Sequence, residues 1–362
     1  MHALSSTRGT DFGARTSSGS ELVGAQMDHD GRINPSVFDT HSTVGELAMK
    51  VIVTGGAGFI GANLCRMLSV EPAVETVVVI DDLSTGRREN LEGLDRIELV
   101  VGSILDSDLL GKQFDGADAV IHLAARPSVP RSLADPMATH AVNATGTMNV
   151  LEAARGSGGP QVIVASSSSV YGANPALPKR EDMATLPVSP YAASKLATEA
   201  YALSYRRSFN LPVVAFRFFN VFGPLQPADH AYAAVVPSFV SWALRGEPLQ
   251  IHGDGLQTRD FTYVGNVAEV LAECVRRGIS NAEPINLAFG SRVSLLAVVE
   301  LLEKILGVEL PRQHVAPRPG DVRDSQADQT AFRHIFSDVE VVNLEEGLRA
   351  TVDWFRTTQL TL

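Results

Sequence analysis

The segment Thr54-Gly55-Gly56-Ala57-Gly58-Phe59-Ile60-Gly61 restricts the fold of this chain more than any other feature. It lies between an apolar, β-branched run at Lys50–Thr54 and an amphipathic stretch, so it reads as a strand, a tight turn and a helix. Glycine at 55, 58 and 61 permits the turn and the close backbone approach of a pyrophosphate, and the helix start supplies unpaired N–H groups with a partial positive charge. Phe59 and Ile60 sit within this helix start. A second apolar run, Thr76–Asp81, ends in Asp81-Asp82, about 20 residues beyond Gly61. A carboxylate there accepts hydrogen bonds from an adenosine ribose and repels a 2′-phosphate. NAD is therefore expected over NADP, although Arg87 and Arg88 follow closely and offer charge to a 2′-phosphate.

Further short apolar runs occur at Ile97–Val101, Ala119–Leu123, Gln161–Ser166 and Pro212–Phe218. Most are followed by a stretch long enough for a crossover helix. Runs that are apolar throughout suit strands buried on both faces. The expectation is an α/β fold: a doubly wound parallel Rossmann sheet, with a smaller α/β substrate lobe and the site at the sheet's carboxyl edge. Residues 49–221 are read as the NAD-binding domain and 222–362 as mainly the substrate lobe, with an interleaved boundary. Residues 1–48 carry polar runs such as Thr16-Ser17-Ser18-Gly19-Ser20 and are read as a flexible N-terminal tail. A docking arm, or upstream sequence ahead of a true start at Met49, is the alternative.

Net charge −11 disfavours general binding to nucleic acid or anionic membranes. No apolar run approaches the length of a membrane helix. Two cysteines, Cys65 and Cys274, make no disulfide framework, and no Cys/His cluster suggests a metal. A cytoplasmic protein without metal is expected.

Tyr191-Ala192-Ala193-Ser194-Lys195 opens a helix behind Ser189-Pro190, a capping residue and a proline suited to the first turn. The i, i+4 spacing puts Tyr191 and Lys195 on one face. A phenol is a poor base at neutral pH, and a neighbouring ammonium lowers its pKa. The run Ser166-Ser167-Ser168-Ser169-Val170-Tyr171-Gly172 ends another strand and offers hydroxyls for proton relay or substrate binding.

Taken together, Thr54–Gly61, Asp81-Asp82-Leu83-Ser84-Thr85-Gly86, His122-Leu123-Ala124-Ala125, Ser166–Gly172 and Tyr191–Lys195 resemble the extended short-chain dehydrogenase/reductase family, and within it the nucleotide-sugar epimerases. The likeness runs from about Met49 to Asp328. It implies that Tyr191 is the catalytic base, that Lys195 also holds the nicotinamide ribose, and that Ser167 contacts the sugar hydroxyl. It places Ser84, Thr85, Gly86, Ser103, Ile104, Leu123, Ala124 and Ala125 around the cofactor. Two departures stand out: Ser103 follows Gly102 where the family often has an acid for the adenine, and Gly265 replaces an acid near Tyr263-Val264.

The same resemblance assigns Ser168, Asn220, Ala234, Val235, Arg259, Arg318, Asp321 and Ser325 to the substrate, a UDP-sugar. Asn220 lies in Arg217–Pro224 and would contact the diphosphate. Ala231–Pro237 would line the uridine site, and Arg259 and Arg318 would hold the diphosphate. Two guanidiniums suit a diphosphate, since each binds oxygens in a bidentate way. The family's dehydratases carry an Asp-Glu pair after the catalytic Thr, and its decarboxylases a Glu, where this chain has Ser168-Ser169. A reversible C4 epimerisation is expected, with UDP-GlcNAc/UDP-GalNAc and UDP-glucose/UDP-galactose as substrates and UDP-glucuronate as alternative. Ser325 would form a small wall beside the C2 substituent. A lyase or reductase of the same family, and a redox sensor that binds NAD(H) without catalysis, are the competing readings. The helices near Met137–Ala154 and Pro190–Ser208 resemble the pair that forms a homodimer in this family.

Overall fold

The computed structural model describes residues 48–228, 233–317 and 322–359. The first half runs β1 (Met49–Thr54), α1 (Phe59–Leu68), β2 (Val74–Asp81), β3 (Ile97–Val101), α2 (Ser107–Gln113), β4 (Ala119–His122), α3 (Val129–Ala134), α4 (Pro136–His140), α5 (Gly146–Gly156), β5 (Gln161–Ser167) and α6 (Pro190–Phe209). Then follow β6 (Val213–Phe218), β7 (Val221–Phe222), α7 (Val235–Arg245), β8 (Leu249–His252), β9 (Thr258–Arg259), β10 (Thr262–Tyr263) and α8 (Val264–Arg277). The chain ends with β11 (Ile285–Leu287), β12 (Val293–Ser294), α9 (Leu295–Leu306), β13 (Arg312–Val315), α10 (Thr330–Ile335) and α11 (Leu344–Gln359).

Seven strands form one sheet in the order β11-β6-β5-β4-β1-β2-β3, and every pairing in it is parallel. The expected Rossmann-like α/β fold is therefore what the chain adopts. Side chains alternate across β1: Val51 and Val53 join the core under α1 and α8, while Ile52 joins the core under α2, α5 and α6. Both faces are covered, which is why the strands read as unbroken apolar runs. The order reverses between β1 and β4, so the crevice outside their carboxyl ends is where a ligand is expected. A third core, with Phe239, Leu249, Leu302 and Val352, lies under α7, α9 and α11.

The expected helix over Met137–Ala154 is not continuous. A π-helical turn, Ala141–Thr145, separates α4 from α5. The widened turn frees the Asn143 carbonyl, which accepts hydrogen bonds from the hydroxyls of Thr147 at 2.6 Å and Thr198 at 2.7 Å. No helix among the described residues is long and apolar enough to cross a membrane.

Candidate active site

A cleft of about 860 Å³ opens at the carboxyl edge of the sheet, in the range of small-molecule sites. The sequence-predicted residues Gly55, Gly58, Phe59, Ile60, Gly61, Asp81, Asp82, Ser84, Thr85, Ser103, Ile104, Leu123, Ala124 and Ala125 line it, together with Ser167, Tyr191, Lys195 and Asn220. The glycine loop is compact because Gly55 and Gly61 carry no side chain where the backbone closes on itself. A Cβ on Gly55 would stand 2.6 Å from the Ala124 nitrogen, and one on Gly61 2.3 Å from the Gly55 oxygen. Gly58 caps α1 without a side-chain bond, which leaves the first-turn N–H groups to the cleft. This cradle fits the pyrophosphate of a dinucleotide.

Asp81 does more than the sequence suggested. Its Oδ2 accepts from the Ala57 N–H at 3.0 Å and its Oδ1 from the Leu83 N–H at 2.8 Å, so it ties β2 to the glycine loop. Burial pushes its pKa up, and these N–H groups oppose that rise. A Cβ on Gly86 would stand 2.8 Å from the same carboxylate, so glycine is needed there as well. Asp82 is exposed and bonds the Ser84 hydroxyl at 2.6 Å. Asp81→Ala is expected to weaken NAD binding by about 10–100-fold, because bonds to a charged acceptor are lost as well as any ribose contact. Calorimetric titration with NAD and NADP measures this, and unchanged NAD affinity would remove Asp81 from the site.

Tyr191 and Lys195 come from the first two turns of α6, which Ser189 caps through the Ala192 N–H at 3.1 Å. Lys195 is buried and donates to the Ala165 carbonyl at 2.8 Å. Burial lowers its pKa to about 8. Burial raises the Tyr191 pKa, and a hydrogen bond with Ser167 opposes that rise. The sequence reading named the Lys195 ammonium together with an oxidised nicotinamide as what acidifies this phenol; the Ser167 hydroxyl acts in the same direction. Ser168 begins the turn Ser168–Tyr171 and does not line the cleft.

A second cavity, about 210 Å³, lies beyond Asn220 and Val221, which line both. Ala234, Val235 and Arg259 line it, with Phe239, Trp242 and Phe261 as apolar walls. Asn220 is held by its Nδ2, which donates to the Asp260 carbonyl at 3.0 Å. Ser325 lines neither cavity; its N–H donates to the Thr258 carbonyl at 3.1 Å, beside Arg259. Arg318 and Asp321, and Ala231 and Tyr232 of the uridine stretch, lie outside the described residues. Gly265 has a packing reason: a Cβ there would stand 2.5 Å from the Tyr263 ring.

Residues 51–288 match the model of the NAD dependent epimerase/dehydratase family. The chain belongs to this family. It is 39% identical over 315 residues to a UDP-glucose 4-epimerase of Mycolicibacterium smegmatis, covering 85% of this chain and 99% of that protein. A UDP-N-acetylglucosamine 4-epimerase from Methanobrevibacter ruminantium M1, solved with UDP-N-acetylmuramic acid, is similar with a TM-score of 0.81 and 37% identity, over 86% of this chain and 99% of that one. A UDP-glucuronic acid 4-epimerase from Bacillus cereus, solved with NAD and UDP-4-deoxy-4-fluoro-glucuronic acid, has a TM-score of 0.79 and 32% identity, over 86% of this chain and 100% of that one. The chain is thus an NAD-dependent enzyme of a nucleotide-sugar epimerase/dehydratase family.

The sequence reading missed two buried groups. One links Thr54, His122 and Thr147, with the His122 ring 2.7 Å and 3.0 Å from the two hydroxyls. The other is an ion pair between Glu199 and Arg217 at 2.7 Å. The spacing Tyr191, Lys195, Glu199, each four apart, was the available signal for the latter.

Proposed function

We propose that this enzyme epimerises a UDP-hexose at C4, with UDP-GlcNAc and UDP-GalNAc, then UDP-glucose and UDP-galactose, as its substrates. The observation that carries this reading is the charge of the cleft. Among the described residues that line it, the only carboxylates are Asp81 and Asp82, at the end of β2. None of the described residues that line the cleft beside Tyr191 is an acid that could expel a C6 hydroxyl, as a 4,6-dehydratase requires. Glu199, the nearest acid on α6, is engaged by Arg217 and Ser166.

Bound NAD supplies the hydride acceptor and returns the hydride, so the net reaction is redox-neutral. The residues of the chain do the rest. The glycine loop and Asp81 hold the dinucleotide. Tyr191 takes the proton of the C4 hydroxyl at its phenolic oxygen and later gives it back. Ser167 stabilises the phenolate by hydrogen bonding, and Lys195 contributes positive charge and holds the nicotinamide ribose. The smaller cavity takes the uridine, Arg259 and Arg318 take the diphosphate, and Asn220 stands at the junction, so that a 4-keto sugar can turn over while its nucleotide stays anchored. Residues 49–221 and 222–362 divide these two tasks.

Ser325 is proposed as the wall beside the C2 substituent, supported by its pairing with Thr258 next to Arg259. Ser325→Tyr is expected to abolish turnover of the N-acetylated pair and spare the plain hexose pair. Separation of products by epimer tests both. A variant that handled the two pairs as the parent does would refute the wall and the substrate order. UDP-glucuronate is the second reading, to be run in the same assay. The exposed Leu133, Met137 and Tyr201 on α3, α4 and α6 support a homodimer through that face. A monomer in sedimentation equilibrium would refute it.

A further inference from the structure

Two consecutive residues at the end of β5 are held by two residues on one face of α6. Lys195 donates to the Ala165 carbonyl at 2.8 Å. Ser166 donates from Oγ to Glu199 Oε2 at 2.7 Å. Ser167, the next residue, lines the cleft with Tyr191. Tyr191, Lys195 and Glu199 are spaced i, i+4, i+8, so the helix face that clips the strand end through Lys195 and Glu199 also carries Tyr191.

The Glu199 contact is the most strongly built. Arg217 lies opposite Ser166 in the β5–β6 register. Its Nε and its second terminal nitrogen grip both oxygens of Glu199, at 2.9 Å and 2.7 Å. The remaining terminal nitrogen donates to the Glu181 carbonyl at 3.2 Å, and the guanidinium lies 4.7 Å above the Tyr171 ring. Both charged side chains are about 95% buried. A buried pair of this kind adds little net stability but fixes geometry, because neither charge can leave its partner. With Arg217 holding the carboxylate, Glu199 has one orientation left in which to receive Ser166.

We propose that Ser166, Glu199 and Arg217 are positioning residues that set the distance between the Ser167 hydroxyl and the Tyr191 phenol. None of the three needs to touch the reacting atoms. Ser166 precedes Ser167 directly, and a strand end released at Ser166 lets the Ser167 hydroxyl drift from the phenol. This inference rests on the reading of Tyr191 as the base. Other charged groups near Tyr191 are Lys195 on its own helix and Arg126 and Arg131 from the segment after β4, with Asp135 paired to Arg126. His122 at the end of β4 is buried, and Tyr171 belongs to the turn after β5. On α4 and α5, His140, Glu152 and Arg155 face solvent. Ser166→Ala changes none of these charges.

The sign of the expected pH effect follows. In the proposed mechanism a hydrogen bond from Ser167 favours the phenolate, so moving Ser167 away raises the pKa of Tyr191. The acidic limb of the kcat–pH profile then moves to higher pH. For Ser166→Ala, kcat should fall about tenfold at neutral pH, the usual scale for one hydrogen bond to a charged group, and recover towards the parent value at alkaline pH. KM for the UDP-sugar and the NAD content should stay unchanged. Ser166→Thr, which keeps the hydroxyl, should return the limb to its place. Tyrosinate absorbance, taken as a difference against Tyr191→Phe, gives the shift without turnover. Glu199→Gln leaves Arg217 buried and unpaired and tests the same shift only if it folds, so Ser166→Ala decides. An unmoved limb, whether activity is intact or uniformly reduced at every pH, would overturn the proposal. Retained activity in Tyr191→Phe would instead overturn the reading of the base.

Discussion

Tyr191→Phe should lose a factor of about 10²–10⁴ in turnover, the usual worth of a positioned acid–base group, while keeping NAD. The ring stays in place, because α6 and its Ser189 cap are untouched. What disappears is the phenolic oxygen that the cleft shares with Ser167 and Lys195. NAD retention follows from the geometry: the glycine loop, Asp81 and Lys195 are unchanged in the variant. Turnover is measured with UDP-GlcNAc and UDP-glucose, and dinucleotide content after denaturation of the purified protein. Turnover within a few-fold of the parent would sink the assignment of Tyr191 as base. Loss of NAD together with activity would show that the phenol holds cofactor rather than moving a proton.

Gly61→Ala is expected to produce a large loss of cofactor. Its Cβ would stand 2.3 Å from the Gly55 oxygen and 2.6 Å from the Gly56 Cα. Both are backbone atoms of the turn that faces the pyrophosphate, so no side chain can rotate away and the loop itself must open. Overpacking of this kind costs on the order of 1–3 kcal/mol, which is about 5–150-fold in affinity. Gly111 on α2 is the internal control. It occupies a helical position with open space where a Cβ would stand, so Gly111→Ala should keep NAD and gain slightly in stability. Equal NAD content in the two variants would contradict the role given to the loop.

Both variants probe positions that the sequence already singled out, and the reason is local. A glycine loop, its flanking strand and its helix occupy neighbouring residues, so spacing alone encodes their geometry. Strand Ile97–Val101 was legible to the residue for the same reason: it is a short apolar run between turns. The Tyr191–Lys195 pair is set by helical periodicity, and Ser189-Pro190 marks where that periodicity starts. The π-helical turn at Ala141–Thr145 was not legible, because the groups that favour it come from elsewhere in the chain: Thr198 lies 55 residues from Asn143, whose carbonyl it bonds.

The sequence by itself thus determined the parallel α/β sheet and the dinucleotide cradle, and it singled out the serine, tyrosine and lysine as candidates, since each is written in a period or a spacing shorter than a few turns of chain. Only the tertiary structure decided what those residues touch. It joined Asp81 to the glycine loop across 24 positions, seated Glu199 between Ser166 and Arg217 across 33 and 18, and brought Asn220 to the junction of two cavities whose walls come from distant segments. Those contacts depend on the order of strands in the sheet. That order is a property of the packed chain, where apolar burial on both faces selects one arrangement, and no stretch of residues carries it alone.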